Sequence, residues 1–336
     1  MPTLVYVSNA DSGDISVLRM DAHTGALAPL RSAPVGGAAG PLAVSPDRRF
    51  LYVARRSEPT AVLAFAIDGG SGELAPVGDA ALPASMAYLS IDRSGRHLFS
   101  ASYGGHQLAV NPVTPGGCPE PARQVLPTEP NAHAVLVDPS NRFVLATSLG
   151  GDLVMQQRFD ATHGRLTPNT PPAVRVRRGA GPRHLVFHPS GRFVYLLNEL
   201  DASIDAFAFD TEQGVLAPLQ TITSLPAGMS GAPWAADIHV TPDGRFLYSS
   251  ERRSSTLAAF RIDATSGQLT LLGHVPTEAQ PRGFNIDPRG RFLLAVGQAS
   301  HRLSRYAIDA DSGGLTPLDD CAVGRSPHWV EIIDLP

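Results

Sequence analysis

The strongest constraint on the fold is a turn pattern, Asp-x-x-x-Gly-x-Leu, that recurs six times along the chain. The six copies begin at Asp21, Asp68, Asp160, Asp210, Asp263 and Asp309. A second pattern runs in phase with it: an arginine, usually followed by Phe, after a short Pro/Gly turn. These turn arginines are Arg49, Arg96, Arg142, Arg192, Arg245 and Arg291, at spacings of 47, 46, 50, 53 and 46 residues. Repeats of this length indicate stacked copies of one supersecondary unit.

The segments between the turns are short apolar runs rich in Val, Ile, Phe, Leu and Tyr, such as residues 193–197. No window keeps the i, i+3, i+4, i+7 spacing of a long amphipathic helix. Four short strands per repeat are typical of a propeller blade. The sequence therefore predicts an all-β, seven-bladed β-propeller with four antiparallel strands per blade. We expect residues 1–336 to form a single domain.

The two ends of the chain are predicted to share a blade. Residues 4–8 correspond to the second strand of a repeat, and residues 329–333 supply its missing inner strand. Such closure removes the exposed sheet edges on which other chains pair. Blade three departs from the pattern, because the segment 111–117 replaces the Asp/Gly turn. Its outer strand is expected to be weak.

Composition limits which binding partners and which cellular location the sequence favours. The net charge is −4, and no basic cluster beyond residues 175–178 points to nucleic acid. No apolar run approaches eighteen residues and the chain opens in a strand, so we expect no membrane association and a cytoplasmic location. Cys118 and Cys321 are interpreted as free thiols. The absence of lysine excludes Schiff-base chemistry and a P-loop. We expect a monomer or a weak homo-oligomer.

The phase of the repeat also predicts a site. The first two residues of each inner strand stand nine and eight residues before the turn arginine, and the next strand ends seven residues after it. Because the two strands form an antiparallel hairpin, these positions meet at one rim close to the axis of the ring. The candidate site residues at these positions are His133, Arg183, His184, Asp237, Arg282, Arg56, Tyr103, Glu199, Arg252 and Gln298.

This set of residues indicates binding of an anion together with acid–base chemistry. Arginine suits bidentate capture of carboxylate or phosphate, and Glu and His supply acid and base partners. The alternative is a solvated face of a binding scaffold. The turn arginines are interpreted as braces of the turns. No Cys/His cluster or His-Glu-x-x-His spacing predicts zinc, whereas calcium or magnesium in the channel leaves little trace in a sequence.

Three segments resemble the bacterial seven-bladed propeller 6-phosphogluconolactonases. They are residues 179–189 followed by Asn198-Glu199-Leu200, residues 234–245, and residues 277–285. The resemblance extends over essentially the whole chain, and Arg56 matches the family within residues 52–56. The same fold family includes fungal carboxymuconate lactonizing enzymes. Their functional His, two Arg and Glu correspond by motif to His133, Arg183, Arg282 and Glu199.

The resemblance implies hydrolysis of a sugar 1,5-lactone and favours 6-phosphoglucono-1,5-lactone, opened to 6-phosphogluconate. No cofactor is expected, because a lactone is activated enough for direct attack, and no metal ligand is assigned. Glu199 or His133 is expected to act as general base, with the other of the two, or His184, as acid. Arg183 or Arg282 would stabilise the oxyanion, and Arg56 and Arg252 would bind the phosphate, with Asp237, Tyr103 and Gln298 as further substrate contacts. Two alternatives stay open: a lactonase or cycloisomerase for a carboxylated lactone, and a non-enzymatic scaffold that binds proteins.

Overall fold

Apolar side chains occupy both faces of the strands between the repeated turns, and each sheet is buried between two neighbouring sheets. The computed structural model describes residues 2–335, which form 28 strands in seven four-stranded antiparallel sheets. Each sheet is one blade, and its strands run from the central channel outward. This confirms the predicted all-β, seven-bladed architecture.

In each blade the strands follow one another along the chain from the channel outward. Blade 1 is the exception, because its innermost strand is the last strand of the chain. Blade 1 contains β1 (Thr3–Asn9), β2 (Asp14–Met20) and β3 (Leu27–Pro34). Blade 2 contains β4 (Ala39–Val44), β5 (Phe50–Arg55), β6 (Ala61–Ile67) and β7 (Leu74–Ala81). Blade 3 contains β8 (Tyr88–Ile91), β9 (His97–Ser102), β10 (Gln107–Pro112) and β11 (Gln124–Pro127). Blade 4 contains β12 (Ala132–Val137), β13 (Phe143–Ser148), β14 (Leu153–Asp160) and β15 (Arg165–Arg175).

The remaining blades repeat this order. Blade 5 contains β16 (Pro182–Phe187), β17 (Phe193–Asn198), β18 (Ser203–Asp210) and β19 (Val215–Thr223). Blade 6 contains β20 (Ala235–Val240), β21 (Phe246–Glu251), β22 (Thr256–Ile262) and β23 (Leu269–Pro276). Blade 7 contains β24 (Pro281–Ile286), β25 (Phe292–Gly297), β26 (Arg302–Ile308) and β27 (Leu315–Ala322). The final strand, β28 (Pro327–Asp334), is the innermost strand of blade 1.

The ring closes as the sequence predicts. Strand β28 pairs antiparallel with β1, and the register places Ile333 opposite Leu4 and Glu331 opposite Tyr6. Both strands are almost entirely buried. The pairing joins residues more than 300 positions apart and leaves blade 1 without an exposed inner edge.

Blade 3 has the short outer strand that the sequence predicts. Strand β11 covers four residues, and the segment that replaces the usual turn is held by an isolated bridge between Val113 and Pro119. The turn still ends in a glycine that packs on the preceding blade, because a Cβ on Gly117 would lie 2.3 Å from Phe50. The contact between blades is therefore kept although the turn sequence changes.

The two repeated sequence patterns meet at the contacts between blades. Gly267 has a φ of +73°, and a Cβ there would lie 2.4 Å from the ring of Phe193 in the preceding blade. The neighbouring turn arginine, Arg192, stacks on Phe193 and donates from Nη2 to the carbonyl of Ala264, 2.6 Å away. The same bond to the next blade is made by Arg96, Arg142 and Arg245. The prediction that the turn arginines brace the turns is confirmed for these four.

Candidate active site

The inner strands of the blades begin with an irregularity that directs side chains to the rim of the channel. Six of the seven carry a register shift at this point, as a β-bulge does. In three blades the extra residue is Arg183, Arg282 or His328. In blades 4 and 6 the shift spans His133 and Asp237 respectively. The bulges thus place the chemically active side chains at one end of the channel.

Glu199 holds two buried arginines. Its Oε2 accepts from Arg183 Nε at 2.7 Å and lies 3.0 Å from an Nη atom of Arg252, while Oε1 accepts from the indole N–H of Trp234 at 3.2 Å. The side chains of both arginines are only 1% exposed. The β16–β17 hairpin creates this contact, since it pairs Pro182 with Asn198 and so sets Arg183 beside Glu199.

A second pair of arginines converges on a histidine. Arg282 Nε donates to His328 Nε2 at 3.2 Å, and Arg56 Nη1 lies 3.5 Å from the same nitrogen. Nitrogen Nε2 must be the acceptor, so His328 is neutral. Among residues 2–335, neither of these arginines forms an ion pair with a carboxylate. Their positive charge is therefore left for a ligand.

A buried carboxylate orients the histidine next to these arginines. Asp237 Oδ1 accepts from His184 Nδ1 at 2.7 Å, which fixes the imidazole with its proton on Nδ1. Within the described residues, the other nitrogen of His184, Nε2, is buried without a hydrogen-bond partner. Asp237 Oδ2 is 3.3 Å from Nε2 of His239, which lies deeper in the channel. An aspartate that holds a histidine in this way leaves Nε2 free to accept a proton.

Aromatic rings surround these groups. The ring centre of His184 lies 5.1 Å from those of Tyr88 and His133, and 5.6 Å from that of Trp329. A narrow crevice, too tight to hold a water molecule, lies here. It is lined by Ala87, Arg183, His184, Arg282, His328 and Trp329.

Burial and the crowded arginines set the protonation states. Burial lowers the pKa of His184 to about 4, and Arg183 beside it acts in the same direction. Burial and nearby arginines also hold the pKa values of His133 and His328 well below their ordinary value. Burial raises the pKa of Glu199, but the neighbouring Arg183 and Arg252 outweigh it, and the net shift is downward. The site thus combines neutral imidazoles with cationic arginines at neutral pH.

The structure brings together most, but not all, of the predicted site residues. His133, Arg183, His184, Glu199, Asp237, Arg252 and Arg282 form one buried cluster, which Arg56 joins through His328. Tyr103 is 41% exposed at the rim, with its ring 6.0 Å from that of His133. Gln298 bonds to Ser326 at 3.4 Å. Within residues 2–335, no three His, Cys, Asp or Glu side chains are arranged to hold a metal ion.

The guanidinium of Arg252, which the sequence suggests as a phosphate contact, is bound mainly by its own blade. Its Nε and Nη2 donate to the carbonyls of Trp234 and Ala235 at 3.1 and 3.0 Å, and its guanidinium lies 3.8 Å from the centre of the Trp234 ring. With the bond to Glu199, these contacts occupy most of its donors. These contacts hold the guanidinium of Arg252 beside Glu199.

Sequence reasoning missed His328 and Trp329. Both lie on β28, the last strand, and no turn arginine follows it in the sequence. Positions counted from the turn arginines therefore do not include the inner strand of blade 1. The register of β28 against β1 supplies the missing signal: Glu331 stands opposite Tyr6 as His239 stands opposite Tyr248. Counting back from Glu331 places His328 in the position of Arg282, and Trp329 in the position of Gly283.

Comparison with known proteins defines the class. The family model described as "Lactonase, 7-bladed beta-propeller" matches residues 4–332, so the chain belongs to that family and is a lactonase. A 6-phosphogluconolactonase of Pectobacterium carotovorum is 42% identical over 336 residues, with both chains covered completely. One from Erwinia tasmaniensis is 40% identical, again over 100% of both chains.

Solved structures agree with this class. The periplasmic gluconolactonase PpgL of Pseudomonas aeruginosa superposes with a TM-score of 0.94 at 31% identity, over 100% of both chains. A structure from Bacteroides fragilis, described as a 6-phosphogluconolactonase assigned by similarity, reaches 0.91 at 29% identity, over 99% of this chain and 98% of that one. In residues 2–335 there is no helix of the length and apolar character needed to cross a membrane. Because the Pseudomonas protein is periplasmic, the cytoplasmic location stays a prediction.

Proposed function

We propose that this lactonase hydrolyses 6-phosphoglucono-1,5-lactone to 6-phosphogluconate. The observation that carries the proposal is the pair Arg56 and Arg282, which converge on a neutral His328 and have no carboxylate partner in residues 2–335. Two guanidinium groups held this way favour an anionic substrate, with Arg56 toward its phosphate and Arg282 toward its reacting carbonyl. The names of the relatives at about 40% identity over the full chain point to the same substrate.

In this reaction His184 acts as the general base. Its Nε2 takes a proton from water as the water oxygen attacks C1 of the lactone. The C1 carbonyl becomes an oxyanion, and Arg282 stabilises it. When the bond from C1 to the ring oxygen breaks, the imidazolium of His184 returns the proton to that oxygen. A positioned acid–base group contributes about 10²–10⁴-fold, and an oxyanion donor about 10²–10³-fold.

Glu199 then serves a purpose different from the one expected from the sequence. Both of its oxygens are engaged by Arg183, Arg252 and Trp234, and the arginines keep its pKa low. The choice between the two groups rests on geometry, because both oxygens of Glu199 are engaged whereas Nε2 of His184 has no partner among the described residues. Glu199 instead holds Arg183 against the pocket, and Asp237 fixes the tautomer of His184. His133, whose Nδ1 has no partner among the described residues, would bind the attacking water.

The crevice beside His184 is too narrow to enclose the substrate, so the lactone ring would bind at its mouth. The phosphate would then lie at the rim beside Arg56. An aldaric or muconic lactone would use the same arginines through its carboxylate, and a neutral lactone would not use them.

The test is hydrolysis of freshly prepared 6-phosphoglucono-1,5-lactone beside glucono-1,5-lactone and a galactaro-lactone, with spontaneous hydrolysis subtracted. We expect the highest kcat/KM for the phosphorylated lactone. His184→Gln, which keeps a polar side chain without a titratable nitrogen, is the inactive control. A preference for the carboxylated lactone would instead identify the lactone of a sugar diacid as the substrate. No activity on any of the three would refute the proposal.

A further inference from the structure

His239 lies below the site on β20, and the reaction above gives it no part. Its Nε2 is 3.3 Å from Asp237 Oδ2, and 28% of its side chain is exposed. Its ring packs edge-on against Phe284 with ring centres 4.8 Å apart. The β20–β21 and β28–β1 registers put His239 at the same level of the channel as Glu331.

The carboxylate of Asp237 is bound by two backbone amides as well as two imidazoles. The amide of Ile238 donates to Oδ1 at 3.0 Å, and the amide of Phe284 donates to Oδ2 at 3.2 Å. These amides already fix the carboxylate and favour its ionised form. Among its partners in residues 2–335, only His184 and His239 can carry a positive charge. The negative charge of Asp237 is thus shared by two imidazoles that compete for one proton.

The surroundings of the two imidazoles differ. His184 is 4% exposed and lies beside Arg183, so that a positive charge on it is doubly disfavoured. His239 opens to the channel, where Glu331, whose pKa burial raises to about 7, adds a second negative charge only at higher pH. Burial alone would lower the pKa of His239, but Asp237 and then Glu331 outweigh burial and the net shift is upward.

Charged and titratable groups lie on five neighbouring strands and on the strand of His239 itself. They are Tyr88 on β8, Arg183 and His184 on β16, Asp237 on the same strand, Tyr248 opposite it on β21, Arg282 at the rim end of β24, and His328 and Glu331 on β28. Tyr248 donates its hydroxyl to the carbonyl of Gly313 at 2.8 Å and is neutral. Asp237 is the one of these groups that contacts both imidazoles.

We propose that His239 is a positioning residue for the reaction: it takes the positive charge that Asp237 attracts and so leaves His184 neutral, with Nε2 free to accept a proton. The step is a distribution of one proton between two imidazoles on a shared carboxylate, and no bond in the substrate is involved. The effect on catalysis rests on the proposed lactonase reaction, whereas the protonation states of His184 and His239 do not depend on it.

The test compares the wild type with His239→Gln. Glutamine keeps an N–H donor near the position of Nε2 and cannot take a positive charge. Without the positive charge of His239, the negative charge of Asp237 acts on His184 alone and favours protonation of His184. We expect the acid limb of the pH profile of kcat/KM to move up by about one pH unit, while the plateau above pH 7 changes by less than about threefold. The matched control is Ser90→Ala, on β8 across the channel, whose hydroxyl bonds to the carbonyl of Val135.

A second readout does not depend on activity. Long-range ¹H–¹⁵N spectra of histidine-labelled protein report the tautomer and titration of each imidazole, and the signals of His184 are assigned by their loss in His184→Gln. We expect the wild type to show His184 with its proton on Nδ1 and a positively charged His239 at mildly acidic pH. In His239→Gln the titration of His184 should move to higher pH.

The two readouts separate the possible failures. An acid limb and a titration of His184 that stay in place, or move to lower pH, would overturn the proposal. A uniform loss of activity at every pH, with no shift of the limb, would assign His239 a purely structural role. If the wild type hydrolyses no lactone, the proposed function fails, and the spectra still decide where the charge resides.

Discussion

The guanidinium of Arg183 and the carboxylate of Glu199 form an ion pair with 2.7 Å between Nε and Oε2, and the arginine is only 1% exposed. Arg252 lies 3.0 Å from the same oxygen. One carboxylate therefore compensates one of the two positive charges and holds both buried cations in place. Such a group is costly to break, because removing one partner leaves the others uncompensated.

Glu199→Gln is expected to weaken both folding and catalysis. The amide cannot neutralise Arg183 and Arg252, so the free energy of unfolding should fall by about 3 kcal/mol. We expect kcat/KM to fall by about 10²-fold, as Arg183 loses its fixed position. Urea unfolding and lactone hydrolysis measure the two effects, with exposed Glu120→Gln as the control. Activity within threefold of the wild type would exclude Glu199 from the site.

Arg56→Gln tests the anion pocket. The substitution removes one of two guanidiniums that converge on His328, and it leaves His184 and Asp237 unchanged. We expect KM for the phosphorylated lactone to rise about tenfold or more, since a charged hydrogen bond contributes about 1.5–3 kcal/mol. KM for neutral glucono-1,5-lactone should stay the same. Exposed Arg93→Gln is the control, and an equal rise in KM for both lactones would argue against a phosphate contact.

The buried neutral histidines predict that stability falls on acidification. Burial, and the arginines beside them, lower the pKa values of His133, His184 and His328 in the folded protein, to about 4 for His184. The unfolded chain therefore binds more protons between about pH 6.5 and 4, and the free energy of unfolding decreases as the pH falls through that range. His239 acts in the opposite sense, because its pKa is raised and its stabilisation is lost as the pH rises.

Urea midpoints at intervals from pH 8 to pH 5 check this prediction. His184→Gln should show a shallower decrease than the wild type, and exposed His23→Gln should not differ from it. Midpoints that rise on acidification would mean that the buried imidazoles are charged in the folded protein.

Gly267→Ala tests the contact that joins neighbouring blades. The glycine has a φ of +73°, and a Cβ would lie 2.4 Å from the ring of Phe193. We expect a loss of about 2 kcal/mol or more from backbone strain and overpacking together. Gly69→Ala is the matched control, since it lies in an equivalent turn with open space around its Cβ position. Calorimetry measures both, and a single transition would support the proposal that the chain is one domain.

Much of the fold was predictable because each blade repeats the same local chemistry. The Asp/Gly turns and the turn arginines recur at a nearly constant spacing. Five of the six Gly residues pack on the residue that follows the arginine of the preceding blade, as Gly267 does on Phe193, and the sixth, Gly72, packs on Leu4 of blade 1. The position of Arg183, His184 and Glu199 at the rim followed from the same phase. Counting along the repeat did not work for β28, because its hairpin partner, β1, lies at the opposite end of the chain. His328 and Trp329 were therefore missed.

The roles within the site were less predictable, because they depend on which side chains meet across blades. Glu199 was expected to act as a base or an acid, but in the structure two arginines and an indole occupy its oxygens. Arg252 was expected at the phosphate, yet it turns inward over Trp234. No spacing within one blade reveals a contact between residues on two different blades.

The sequence by itself determined the number of blades, the closure of the ring and the rim at which polar residues collect, because each of these depends on local turns and on the repeat length. Only the tertiary structure decided that Asp237 binds both His184 and His239, and that Arg56 and Arg282 share His328. Apart from the pair of Asp237 and His239, which share β20, these contacts join strands from different blades, and the β-bulges direct the side chains at the rim toward a common axis. Burial there, rather than residue type, sets which groups are charged.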